Sequence, residues 1–206
     1  MIEQLIAQGE NSTVEFKSTI ESAARIAKTL AAFANTKGGT LLVGVSDNGN
    51  IMGISSELQE MQKIEQASQI LCDPPIELSY QLQTVSSKQV LVINIAESNE
   101  KPHYVKDAEG KRTAYVRAKD KSVPAGKGMQ NILYMNDSIK DTRILESRHV
   151  KALLTFLRNN EFVTAKKYAK LINISEGRAI KILKELSFAG ILLLHDKQKP
   201  VAYSLK

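Results

Sequence analysis

The chain has 206 residues, a hydrophobic fraction of 43%, a charged fraction of 24% and a net charge of +6, the profile of a globular protein with one large core or two small ones. No apolar run approaches the length that spans a bilayer, and the opening MIEQLIAQGEN has neither a basic flank nor an apolar signal core, so neither a membrane protein nor a secreted one is expected. Cys72 is the single cysteine, which excludes an intramolecular disulfide and fits a reducing cytoplasm.

In chain order, STVEFKS (Ser12–Ser18) alternates and is predicted to be a strand. ESAARIAKTLAAFANT (21–36) follows, with Ile26, Leu30, Phe33 and Ala34 at helical spacing among strong helix formers, and Gly38-Gly39 ends it. TLLVGV (40–45) is an almost wholly apolar strand of the kind buried on both faces. DNG (47–49) then turns the chain into a short strand, NIMGI (50–54). Backbone punctuation this dense serves either the fold or a ligand, and the residues alone leave both open. A helix is predicted over Glu57–Leu71, stopped by Pro74-Pro75. IELSYQLQTVS and QVLVINIAE form a hairpin across SSK, and Pro102–Pro124 forms another over DAEGK, with TAYVRA as its return strand. The first domain, residues 1–125, is thus read as mixed α/β (α+β) with a mixed sheet, and 126–145 as a linker where the pattern loosens.

Residues 146–206 open a second domain. Val150, Leu153, Leu154 and Leu157 mark one helix; TAKKYAKLIN, capped by Thr164, marks a second; SEGRAIKILKELSFAG, from Ser175 to Gly190, marks a third. ILLLHDKQKPVAYSL then reads as two strands around a charged turn. Helix, helix-turn-helix and hairpin is the order of a winged helix, whose second motif helix enters the DNA major groove. Charge supports that reading: residues 147–206 carry 12 Lys and Arg against 4 Asp and Glu, whereas residues 1–146 carry 16 against 18. Arg178, Lys181 and Lys184, three residues apart, share one helix face. Lys166, Lys167, Lys170, Lys197 and Lys199 are placed to meet phosphates. A solvated basic surface is the plainer alternative.

Three separated blocks, STVEFKST, AFANTKGGTLLVGVSDNGNIMGI and AYVRAKDKSVPA, together resemble the Schlafen AlbA-type domain over residues 10–125. The resemblance implies that domain's fold, its usual pairing with a winged-helix tail in bacterial transcriptional regulators, and a chiefly architectural role for the Asn-Thr-Gly-Gly turn. The family was once labelled a divergent ATPase, but AGKGM (125–129) has glycine where a P-loop places Ser or Thr, and no ATP site is expected. Arg117 stands at the family's Tyr-x-Arg position. With Lys119 and Lys121, beside Lys111 and Arg112, it would join a second basic patch, on which Tyr104 or Tyr115 would stack a base.

The same resemblance brings an enzyme reading. In some animal Schlafen proteins the positions matching Glu10, Glu15 and Asp47 form an acidic cluster that supports metal-dependent RNA cleavage, and Mg²⁺ or Mn²⁺ would suit such ligands. The alternative is that Asp47 caps a turn while Glu15 pairs with Lys17 or Arg25. His103, His149 and His195 are too scattered for a metal site. The leading expectation is a cytoplasmic DNA-binding regulator with no cofactor. A metal-dependent ribonuclease, with RNA as the partner, stands second, and a protein–protein or homodimerisation module third.

Overall fold

The computed structural model describes residues 2–135 and 145–206, and the chain divides into two units, Met1–Val123 and Pro124–Lys206. The first begins with α1 (Ile2–Gln8), β1 (Val14–Lys17), α2 (Ala23–Asn35) and β2 (Gly39–Val43). Next come α3 (Glu57–Glu65), prolonged by a π-helical turn over Gln66–Leu71, and the short β3 (Cys72–Asp73). β4 (Leu78–Val85), β5 (Lys88–Ile95), β6 (Tyr104–Lys106), β7 (Arg112–Ala118) and β8 (Lys121–Pro124) complete it.

Two four-stranded sheets result, ordered β1-β2-β5-β4 and β3-β6-β7-β8. β1 and β2 are parallel, joined through α2, whereas β2–β5 and β4–β5 are antiparallel. α2 starts at Ser22, whose side chain accepts from Arg25 N. Its first half is amphipathic, with Arg25 and Lys28 exposed, but from Thr29 onward every residue is buried, Leu30, Ala31, Ala32, Phe33 and Ala34 fully, as befits a helix end packed between layers. Its alanines let neighbouring backbones approach closely. Leu41 and Val43 of β2 join the core around α2, while Leu42 joins a second core with Ile2, Phe16 and Val92 on the opposite face. The unbroken apolar run of β2 thus reflects burial on both faces. NIMGI makes only a single bridge, Val45 to Ile51, because Gly53 takes a positive φ that curls the segment away.

The second unit contains α4 (Lys127–Met135), α5 (Arg148–Asn159), β9 (Val163–Thr164), α6 (Ala165–Ile172), α7 (Glu176–Phe188), β10 (Leu192–His195) and β11 (Ala202–Leu205). Its three strands are antiparallel in the order β10-β11-β9. Val150, Leu153 and Leu157 of α5 pack with Tyr168, Ala169, Ala179, Leu183 and Leu186 in its interior. Thr164 and Ser175 cap α6 and α7 by accepting from Lys167 N and Arg178 N. Part of the expected linker is therefore structured: Met129, Ile132 and Leu133 lie at helical spacing and are buried, which makes Lys127–Met135 a helix of this unit. The rest of that segment, 136–144, lies outside the described residues. The AGKGM loop has a structural role too, since Gly126 N and Gly128 N donate to the two carboxylate oxygens of Asp196 at 2.9 and 2.7 Å. A Cβ at Gly126 would collide with that carboxylate.

His195 is buried on β10 with Nε2 2.9 Å from Ser204 Oγ and its ring edge-on to Phe162. Burial pushes its pKa down from the ordinary 6.5 to about 4, with Asp196 opposing the shift. Between those values the unfolded chain binds a proton that the folded chain refuses, so stability falls as pH drops from about 6.5 towards about 4. The loss expected is on the order of 3 kcal/mol. Thermal melts at stepped pH should show a smaller loss across this window in His195→Leu than in the unsubstituted protein; equal losses would remove His195 as the cause.

Candidate functional site

The Asn-Thr-Lys-Gly-Gly segment at the end of α2 faces the protein. Asn35 is fully buried; its Nδ2 donates to the carbonyls of His103 and Tyr115, both at 2.9 Å, and its Oδ1 accepts from His103 N at 2.7 Å. Thr36 Oγ1 donates to Ala32 O at 2.7 Å and accepts from Arg117 N at 3.0 Å. Asn35 and Thr36 therefore fasten β6 and β7 to the helix end, supplying the partners that buried backbone groups require. His103 is held at both ring nitrogens, by Pro74 O and Ser98 Oγ, and burial lowers its pKa against the raising influence of the Pro74 carbonyl. Gly38 has φ +71°, and a Cβ there would meet Ile95 O at 2.5 Å. A Cβ on Gly39 would meet the Phe33 ring at 2.5 Å. Of the two roles open to this punctuation, the geometry supports the architectural one.

Glu15 and Arg117 meet in the interior. Arg117 is 1% exposed and Glu15 7%. Arg117 Nη1 donates to Glu15 Oε2 at 2.8 Å and to Ser122 Oγ at 3.3 Å, while Nη2 donates to Asn11 O at 2.8 Å. The guanidinium lies 4.7 Å from the Phe33 ring centroid, an approach that favours a cation. Its Nε is buried with no hydrogen-bond partner among the described residues. Lys17 Nζ sits 2.7 Å from Glu15 Oε1 and 3.7 Å from Glu10 Oε1, and Glu10 Oε1 also accepts from Phe16 N at 2.9 Å. Arg117, expected among nucleic-acid contacts, is thus an internal cation that neutralises Glu15; a side chain this buried has no surface to offer a phosphate.

Asp47 is exposed in the turn after β2. It lines an open cleft of about 430 Å³ with Lys17, Ser18, Thr19, Ser22 and Arg25. Buried Glu60 holds two residues of the cleft wall, accepting from Ile20 N at 2.8 Å and Thr19 Oγ1 at 2.5 Å. Arg25 is paired with Glu21. As arranged, Glu10 and Glu15 do not fit a Mg²⁺ or Mn²⁺ site, because both oxygens of Glu15 face cationic side chains that a metal would have to displace. Among the described residues no group of three or more His, Cys, Asp or Glu side chains is placed to hold a metal ion.

Around the second hairpin the charges are partly spent. Arg112 and Lys106 both pair with Asp73, at 3.1 and 3.3 Å, and Arg112 stacks on Tyr104. Lys111, Lys119 and Lys121 are exposed. In the second unit all eight expected contact residues, Lys166, Lys167, Lys170, Arg178, Lys181, Lys184, Lys197 and Lys199, are exposed. Among the described residues none of them enters a salt bridge. The roles of Asn35, Glu60 and Asp196 escaped the sequence reading; buried polar types beside glycines or at a helix start were their only trace. Cys72 is buried, and burial pushes its thiol up to about 12, which leaves it without thiolate chemistry.

These features define a mixed α/β domain knitted through its central helix, followed by a smaller basic unit. The family model of the Schlafen AlbA_2 domain matches residues 10–126, and the chain belongs to that family. No curated protein sequence matches the chain. Among solved structures it is similar to the DIP2311 protein of Corynebacterium diphtheriae, with 21% identity and a TM-score of 0.47 over 66% of this chain and 32% of that one. The chain thus spans about a third of the length of the Corynebacterium protein. It is also similar to the N-terminal domain of a RecG-related protein of Nitrosomonas europaea, with 23% identity and a TM-score of 0.43 over 56% of this chain and 84% of that one.

Glu15→Ala strands the Arg117 charge and is expected to cost roughly 3–5 kcal/mol in urea denaturation followed by far-UV circular dichroism. Lys17→Ala, at a partly exposed pair, should cost about 1 kcal/mol or less. Equal losses would contradict the buried pair. Gly39→Ala, by overpacking Phe33, should cost about 1–3 kcal/mol in the same assay.

Proposed function

We propose that the chain is a cytoplasmic DNA-binding protein, a transcriptional regulator, whose second unit is a winged helix docking on duplex DNA through α7. In this reading β10 and β11 with their lysine-bearing turn form the wing, and the Schlafen-type unit binds nucleic acid or an effector. The single observation that carries the proposal is the free basic face of the second unit. Arg178, Lys181 and Lys184 span an arc of about 120° on α7 at 3.6 residues per turn, opposite the buried Ala179, Leu183 and Leu186.

A second feature points the same way. Lys166 and Lys167 lie in the first turn of α6, and Arg178 in the first turn of α7. Cations there oppose the helix dipole and cost a few tenths of a kcal/mol or more each. A polyanion reverses that sign, because amides and cations at a helix start then face phosphates together. The acidic cluster stays outside this proposal, since Glu15 is already neutralised by two cations.

Fluorescence anisotropy with a labelled duplex at stepped salt tests the reading. Affinity should fall steeply with salt, and the combined substitution Arg178→Ala, Lys181→Ala and Lys184→Ala should weaken binding at least about tenfold. The slope of log K against log salt should become shallower by roughly one for each phosphate the variant no longer neutralises. Unchanged affinity in the substituted protein would remove α7 as the docking helix, and tighter binding to an RNA duplex than to DNA would reassign the partner.

A further inference from the structure

β4 is the outer strand of the sheet β1-β2-β5-β4, and among the described residues no strand lies beyond it. It is eight residues long, LSYQLQTV, with its residues exposed or half-exposed throughout. Free edges in soluble proteins are ordinarily blunted by lysine, proline, a bulge or extreme shortness. β4 has none of these: it carries no charged residue and no proline, and pairs with β5 continuously from Leu78–Ile95 to Val85–Lys88. Two exposed apolar side chains stand beside it, Ile70 (67% exposed) and Tyr80 (49% exposed), in an open groove otherwise lined largely by glutamine and glutamate side chains.

Hydrogen-bond parity defines which backbone groups this edge offers. The hairpin closes through the two-residue turn Ser86-Ser87, both at positive φ, so the closing pair Val85–Lys88 is hydrogen-bonded. Gln89, the next residue on β5, turns its carbonyl away from β4 to accept from Ile54 N at 2.8 Å. Its partner Thr84 therefore directs its own N–H and C=O outward, as do Leu82, Tyr80 and Leu78 at the period of two.

We infer that β4 is a homodimerisation edge, pairing antiparallel with β4 of a second copy about a two-fold axis at Gln81. That register engages all four outward residues, setting Leu78 opposite the other copy's Thr84 and Tyr80 opposite its Leu82. Side chains match by face: Tyr80 and Leu82 meet on the side where Leu78 and Leu82 already pack on the core, while Ser79 faces Gln83 and Gln81 faces Gln81. The occupant is a second copy of this chain because the edge complements itself. An uncharged strand meets its own image without like-charge repulsion, and a two-fold closes the pairing so that no β4 edge is left to recruit a third copy. Two four-stranded sheets would become one of eight. The inference stands apart from the DNA-binding reading.

Sedimentation equilibrium up to about 100 µM, a range that detects any Kd near or below it, tests the proposal. The unsubstituted chain should be a dimer. Gln81→Lys, at an exposed position whose change spares the monomer, brings two ammonium groups together on the axis and should weaken association about fivefold or more. Mixing Gln81→Lys with Gln81→Glu should restore association, because each mixed pair places opposite charges across the axis. A chain monomeric throughout that range, or a dimer indifferent to Gln81→Lys, overturns the inference; circular dichroism of each variant confirms that loss of association is not loss of fold.

Discussion

From Thr29 to Asn35 the helix Ala23–Asn35 leaves no face to water, and the first unit is built to meet that constraint. A helix end holds carbonyls and amides that need partners, and here water is excluded from it. Thr36 Oγ1 donates to Ala32 O, Thr36 N and Gly38 N to Phe33 O, and Ser98 N to Ala34 O, while the Asn35 side chain serves the backbone at His103 and Tyr115 in turn. Gly38 and Gly39 then let the chain reverse where any Cβ would strike Ile95 O or Phe33. Arg117 follows from the same closure: its backbone is pinned by Thr36, so its side chain enters the interior, where Glu15 and the Phe33 ring compensate the charge.

This accounts for why a segment dense in glycine and polar residues does not make a pocket. Its polar atoms are consumed by the chain itself. The Gly126–Gly128 loop repeats the principle in the second unit, where amides that resemble an anion cradle are filled by the Asp196 carboxylate. In both places the groups suited to hold a ligand already hold a neighbouring strand or turn. Functional surface must therefore be sought where polar groups are left unspent: the basic side chains of α6, α7 and the terminal hairpin, the open cleft beside Lys17, and the uncharged edge of β4.

The two surfaces proposed for partners depart from local rules in opposite ways. Lysines at the start of α6 disfavour the isolated helix, a local cost that a bound polyanion offsets. The β4 edge lacks the charges that normally keep sheets apart, and a partner strand offsets that lack.

Sequence alone was enough for the periodic features. Alternation and apolar runs located β1, β2, β4, β5 and β7, helical spacing located α2, α5, α6 and α7, and glycine punctuation marked where α2 stops, because these patterns are local consequences of pleat and turn. α4 escaped because its short apolar stripe, Met129, Ile132 and Leu133, is interrupted by glycine and amide residues that resemble a loop. β9 escaped because two residues carry no period. Tertiary structure alone decided what the charged residues do. Lys181 and Arg117 are both cations in the sequence, yet one points to solvent and the other is sealed beside Glu15. That difference depends on the depth at which each backbone position comes to lie and on which opposite charge arrives from a distant segment, 102 residues away for Glu15 and Arg117, and no local pattern encodes either.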